Sequence, residues 1–255
     1  MRLEEKDLIS NNLIVHWYYF KPEEKTGKKI ILLHGWGVEG MVFEPIIKFL
    51  LSEGMEVFVC DFPGFGKSPV PRKVLNLSDY VKIVKEFIEK EIKEEIVVLG
   101  HSFGGRVAIR LASENKELVK KLILVDSAGF KKRGIKISLI KFLAKIFKPL
   151  FKNTFFSSFK TKIYTKIGTE DYLLYPELKK TYANITDEDL TEDLKKIETE
   201  TMIIWGKDDS VTPLAWGKKM KELIRNSHLY EINGGHFAFL DNEAEFCLIL
   251  KNILS

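Results

Sequence analysis

Cysteine is scarce in this chain: 255 residues contain 2, Cys60 and Cys247. Neither has a second Cys or a His at metal-ligand spacing, so a disulfide scaffold and a zinc module are both excluded. Each lies in an apolar stretch and reads as a buried free thiol of a reducing compartment. No uncharged apolar run approaches the length of a membrane span. The start, Met1-Arg2-Leu3-Glu4-Glu5-Lys6-Asp7, is too charged for a signal peptide, which makes the cytoplasm the expected location. Excess charge is lacking too. The formal net charge is +4 with both signs interspersed, too little to argue for a nucleic-acid partner. No repeat and no low-complexity linker breaks the chain.

What is present is apolar: 45% of residues are hydrophobic and 12% aromatic, enough for one sizeable core. Short runs alternate with longer helical patterns. Residues 13–20, 28–33, 55–60, 96–99, 122–125, 202–205 and 228–232 read as strands, the first pairing in a hairpin with the residues before it. The middle runs are nearly continuous in Val, Ile and Leu, as parallel strands covered on both faces require. Ser78-Asp79 reads as the cap of a helix reaching about Lys93. Further helices are expected just after Ser102, over 214–223, and over 243–254. This alternation predicts an α/β fold with a mostly parallel, doubly wound sheet, in which ligands bind beyond the carboxyl ends of the strands.

From Ser127 to about Lys196 the alternation stops, and helical patterns without a strand suggest an inserted cap. The expected division is therefore a core of 1–126 and 197–255 with a helical cap of 127–196. Residues 127–166 carry 11 Lys and Arg and no acid, whereas acidic residues dominate from Glu170 to Glu200. Within the basic part, 137–152 is amphipathic at helical spacing. Leu139, Phe142, Leu143, Ile146 and Leu150 share one face, and Lys141, Lys145, Lys148 and Lys152 share another. Two readings follow. The lysines are solvated and balanced by the acidic stretch, or they make a weak contact with anionic lipid or an acidic carrier protein.

The chemistry points to Gly100-His101-Ser102-Phe103-Gly104-Gly105, at the end of one apolar run and the start of a helix. Gly-x-Ser-x-Gly in that context holds a serine in a sharp strand-to-helix turn and exposes its hydroxyl above free helix N–H groups. A hydroxyl attacks only when a base takes its proton. Of the 5 histidines, His16 and His228 fall inside strands and read as structural. His101 packs in the turn itself, and His34 reads as holding its own loop. His236, in a loop after the last strand, can reach across the sheet edge. The base needs a carboxylate to set its tautomer, and Asp208 and Asp209 both stand at the end of the 202–205 run. Spacing does not choose between them. His34-Gly35-Trp36-Gly37 follows another strand, and the Trp36 and Phe103 backbone N–H groups are the candidate oxyanion donors.

Together these segments resemble the α/β-hydrolase fold family, in its serine-hydrolase branch. The resemblance rests on His34-Gly35-Trp36-Gly37, Asp61-Phe62-Pro63-Gly64-Phe65-Gly66-Lys67-Ser68, the turn around Ser102, Gly206-x-x-Asp209-x-x-x-Pro213 and Gly235-His236. It implies Asp209 as the acid, with Ser102 as nucleophile and His236 as base. It implies no metal or organic cofactor and a small-molecule ester as substrate. It disfavours the relatives that use an aspartate at the serine position. The first expected reaction is hydrolysis of carboxylic esters with small or medium apolar acyl groups. The alternatives are carbon–carbon hydrolysis of ring-fission diketones, hydrolysis of a carrier-linked methyl ester, and a non-catalytic ligand-binding role.

Overall fold

The computed structural model describes residues 2–131 and 175–254. The amphipathic run 137–152 and the phenylalanine-rich 151–159 lie outside the described residues.

Eight strands form one sheet: β1 (Arg2–Ser10), β2 (Leu13–Lys21), β3 (Lys29–Leu33), β4 (Glu56–Asp61), β5 (Ile96–His101), β6 (Val119–Val125), β7 (Thr201–Gly206) and β8 (Ser227–Ile232). Their spatial order is β1-β2-β4-β3-β5-β6-β7-β8. The β1–β2 hairpin pairs antiparallel, as does β2 with β4, and every other neighbour is parallel. Asn11 and Asn12, with φ of 50° and 59°, make the hairpin turn, which needs two left-handed residues.

Among the described residues the α-helices are α1 (Glu44–Ser52), α2 (Leu77–Phe87), α3 (Phe103–Glu114), α4 (Lys179–Asp187), α5 (Thr191–Lys196), α6 (Leu214–Leu223), α7 (Ala238–Asp241) and α8 (Glu243–Leu254). They cover both faces of the sheet. Ile31, Leu33 and Val98 pack with Tyr80, Val107, Leu194 and Met220 from α2, α3, α5 and α6. Ile30, Leu32 and Leu99 pack on the other face with Ile46, Leu50, Phe246 and Leu250 from α1 and α8. Successive strand residues thus enter opposite cores, which explains why these runs lack polar alternation.

Two expectations need correction, the cap of α2 and the burial of Cys247; the helical reach to Lys93 and the strand position of His228 hold. Helix α2 is capped by Asn76 in a reciprocal box with Asp79, not by Ser78-Asp79. Its α-helical part ends at Phe87, and a π turn over Ile88–Ile92 carries the chain to left-handed Lys93. Cys60 is buried but Cys247 only half-buried. His228 lies exposed on edge strand β8, opposite Met202.

The acidic stretch serves the core. Arg110 of α3 pairs with Glu188 at 3.0 Å and Asp193 at 2.9 Å, Lys116 with Glu198 at 2.8 Å, and Lys121 with Glu200 at 3.3 Å. Buried Arg106 donates to the Glu188 carbonyl, and burial pushes its guanidinium down to about 10. Among the described residues the basic segment is met at Lys131, whose ammonium lies 2.6 Å from Asp187 and whose amide donates to Asp189 at 3.2 Å.

Candidate active site

The turn after β5 places Ser102 at φ 52°, ψ −112°, a left-handed backbone for a residue with a Cβ. Close packing holds it there. A Cβ on Gly104 would overlap the Leu33 carbonyl oxygen, and one on Gly100 would strike the Gly104 backbone. Glycine lets the first turn of α3 press against the exit of β3, bringing Phe103 beside the His34–Gly37 loop. The Trp36 and Phe103 rings lie 5.5 Å apart.

Three side chains from distant segments meet above this turn. His236 Nε2 lies 2.9 Å from Ser102 Oγ, and His236 Nδ1 lies 2.9 Å from Asp209 Oδ2. A carboxylate only accepts, so Nδ1 carries the proton and Nε2 faces the hydroxyl as an acceptor. His236 and Asp209 are buried, while Asp208 is exposed one residue away. Burial thus separates the two acids that spacing leaves open.

Asp209 has a full set of donors. The backbone N–H groups of Val211 and Thr212 donate to Oδ1 at 2.7 and 2.9 Å. The Thr212 hydroxyl lies 2.6 Å from Oδ2. Burial raises the carboxyl's pKa, but His236 and these donors outweigh it and leave Asp209 below its ordinary range. It is thus held as an anion facing the imidazole. Thr212 carries no motif signal of its own and is missed by sequence reasoning.

His34, His101, Asp61 and Asp241 hold the loops. His34 Nδ1 donates to the Gly35 carbonyl at 2.7 Å and its Nε2 accepts from the Phe62 amide at 2.9 Å. Buried Asp61 accepts from the Gly40 and Lys67 amides and from the Tyr18 hydroxyl, tying the loop after β3 to the loop after β4. His101 Nε2 donates to the His236 carbonyl at 2.7 Å. Burial, reinforced by His236, pushes the His101 imidazole down to about 3, so it stays neutral. Asp241 Oδ2 accepts from the Gly235 amide at 2.7 Å and steadies the His236 loop from the other side.

Trp36, next to the Gly35 that packs against the Ser102 side chain, begins an aromatic wall. Trp36 meets Phe65 at 4.9 Å and Tyr182 of α4 at 5.1 Å, and Phe65 meets Tyr175 at 5.4 Å. Such a wall suits an apolar group next to the serine. Among the described residues no cluster of His, Cys, Asp and Glu is placed to hold a metal ion, and no helix is long and apolar enough to cross a membrane.

Comparison with known proteins agrees with this architecture. Residues 30–247 match the profile of the Alpha/beta hydrolase family. The pimeloyl-[acyl-carrier protein] methyl ester esterase of Vibrio campbellii is 26% identical, over 95% of this chain and 98% of that protein. The 2-hydroxy-6-oxononadienedioate/2-hydroxy-6-oxononatrienedioate hydrolase 1 of Pseudomonas putida is 26% identical, over 100% of this chain and 95% of that protein. Among solved structures, the esterase EaEST of Exiguobacterium antarcticum superposes with a TM-score of 0.81 at 22% identity, over 98% of this chain and 99% of that one. The chain belongs to the alpha/beta hydrolase family.

Proposed function

We propose that this alpha/beta hydrolase is a serine hydrolase that cleaves carboxylic esters of small or medium apolar acyl groups. One observation carries the reading: the unbroken line from Ser102 Oγ through His236 to Asp209, with both contacts at 2.9 Å. As the Ser102 oxygen bonds to the ester carbon, its proton passes to His236 Nε2. Buried Asp209 stabilises the resulting imidazolium. The Trp36 and Phe103 amides take the oxyanion. Loss of one such donor costs about 10²–10³ in rate. The carbon–alkoxide bond breaks, the alcohol leaves with the proton from His236, and water repeats the sequence on the acyl-enzyme. The acyl group rests against Trp36, Phe65 and Tyr182. Residues 127–196 act as the cap over this pocket, and the protein works in the cytoplasm.

The test is a chain-length series of p-nitrophenyl esters with Ser102→Ala as control. Saturable hydrolysis lost in that variant supports the reading, and Ser102-independent hydrolysis refutes it. The Pseudomonas relative's printed activity favours a second reading, carbon–carbon hydrolysis of a ring-fission diketone, and such a substrate belongs in the same assay. The Vibrio relative's favours a carrier-linked ester. By composition, 127–166 carries 11 Lys and Arg and no acid, a charge that suits an acidic carrier. Binding of acyl-carrier protein that weakens steeply with salt supports this. Equal binding to anionic vesicles points to lipid instead.

A further inference from the structure

The exit of β6 touches every station of the candidate site. The Ser102 amide donates to the Val125 carbonyl at 3.1 Å, and the Ala128 amide donates to the Ser102 carbonyl at 3.0 Å. Between them, Asp126 is wholly buried. Its Oδ1 accepts from the Gly206 amide at 2.8 Å, at the root of the loop that carries Asp209. Its Oδ2 accepts from the Ala238 amide at 3.3 Å, two residues beyond His236. Its carbonyl oxygen lies 2.9 Å from the Thr212 hydroxyl, the same hydroxyl that reaches Asp209.

This arrangement costs free energy. Asp126 holds φ at 43°, a left-handed conformation that a residue with a Cβ adopts only under constraint. Among the described residues its side chain accepts from backbone amides alone. Burial, with the charge of Asp209 adding to it, pushes its carboxyl well above the ordinary carboxylate range. A small apolar residue would avoid the burial cost but not the backbone strain, and would leave the Gly206 and Ala238 N–H groups without acceptors.

We propose that Asp126 is a positioning residue for the reaction: one carboxyl at the exit of β6 ties the loop of Asp209 to the loop of His236 and fixes their separation. The proposal rests on the serine-hydrolase reading for its kinetic consequence only; the tie itself is a matter of backbone contacts. A bidentate tie suits the task because its anchor is the rigid end of a central strand, while the two loops it joins come from segments some 30 residues apart in the chain.

The test uses the full chain with Asp126→Ala and Asp126→Asn. The amide oxygen of Asn keeps the Gly206 contact, but its NH₂ cannot accept from Ala238. The expected order of kcat is therefore wild type, then Asn, then Ala. Asn falls by about 3- to 10-fold and Ala by about 100-fold, as for an ångström of misplacement, with KM moved by less than about twofold. Amide hydrogen exchange at Gly206 and Ala238 should quicken in Ala at both positions, and in Asn at Ala238 alone. Should Asp126→Ala fail to fold, the Asn variant carries the test through that asymmetric exchange. Wild-type kcat in a folded Ala variant overturns the proposal, as does unchanged exchange. A loss in Asp126→Asn as deep as that of Asp209→Asn also overturns it, since Asp126 would then be an acid of the relay. If the wild type hydrolyses no ester, the functional reading fails, and exchange alone decides the tie.

Discussion

Two histidines of this chain face carboxylates at nearly the same distance, and their surroundings differ in every other respect. His16 Nδ1 lies 2.7 Å from Asp7 and its Nε2 3.1 Å from Glu5, across the ladder of the β1–β2 hairpin. His236 Nδ1 lies 2.9 Å from Asp209, and its Nε2 faces a hydroxyl. At the hairpin both ring nitrogens lie beside carboxylates, so the ring serves as a cross-strand clasp and faces no hydroxyl. The Asp7 side chain is 64% exposed, which leaves that contact screened by water. At the rim of the sheet the Asp209 side chain is wholly buried, one nitrogen is held, and the other is open to a proton donor. What suits His236 to act as a base is the partner of its second nitrogen and the dryness of the first, not proximity to an acid alone.

The comparison breaks most visibly at the hydroxyl. Ser102→Ala should cut kcat for p-nitrophenyl butyrate by about 10⁶, as removal of a triad nucleophile does, while His16→Gln leaves the initial rate within about twofold. Next comes the acid. Asp209→Asn should cost about 10⁴ in kcat by disfavouring the Nδ1-protonated tautomer, whereas Asp7→Asn leaves turnover unaltered in the same assay. Thr212→Val sharpens the contrast. It removes one donor to the buried carboxylate and should lower kcat/KM by about tenfold, the worth of one hydrogen bond to a charged group.

The last effect is on stability. His101 titrates at about 3 in the fold and near 6.5 when unfolded, so between these values the unfolded chain binds the extra proton. Stability is then full above about pH 6.5 and falls as pH drops toward 3. Buried His34, also shifted down by burial, contributes with the same sign. Urea melts at about pH 7 and about pH 5 should differ by about 2 kcal/mol for His101 alone, and His101→Gln should remove that share of the slope. An unchanged slope would mean that His101 is already charged in the fold.

The strands are legible because each parallel strand is covered twice, so Ile30–Leu33 and Ile96–Leu99 read as unbroken apolar runs. The serine turn is legible because its glycines answer a steric demand within six residues. What escapes notice depends on partners far along the chain. Asn76 outcompetes Ser78 as a cap only because Asp79 folds back on it. Asp126 looks like an ordinary residue after a strand, and its two amide partners come from β7 and from the residue that opens α7, 80 and 112 positions away. Arg106 shows itself as an anchor only once the Glu188 carbonyl is beside it.

The central claim is that Ser102 is activated by His236 and not merely placed near it. The most direct measurement is intact-protein and peptide mass spectrometry after reaction with a fluorophosphonate, on the wild type and His236→Gln. The account predicts one adduct per chain on the peptide containing Ser102, formed rapidly in the wild type and at least about 10³ more slowly in the variant. Folded wild-type protein that takes no label, or equal labelling rates in the two proteins, would contradict it.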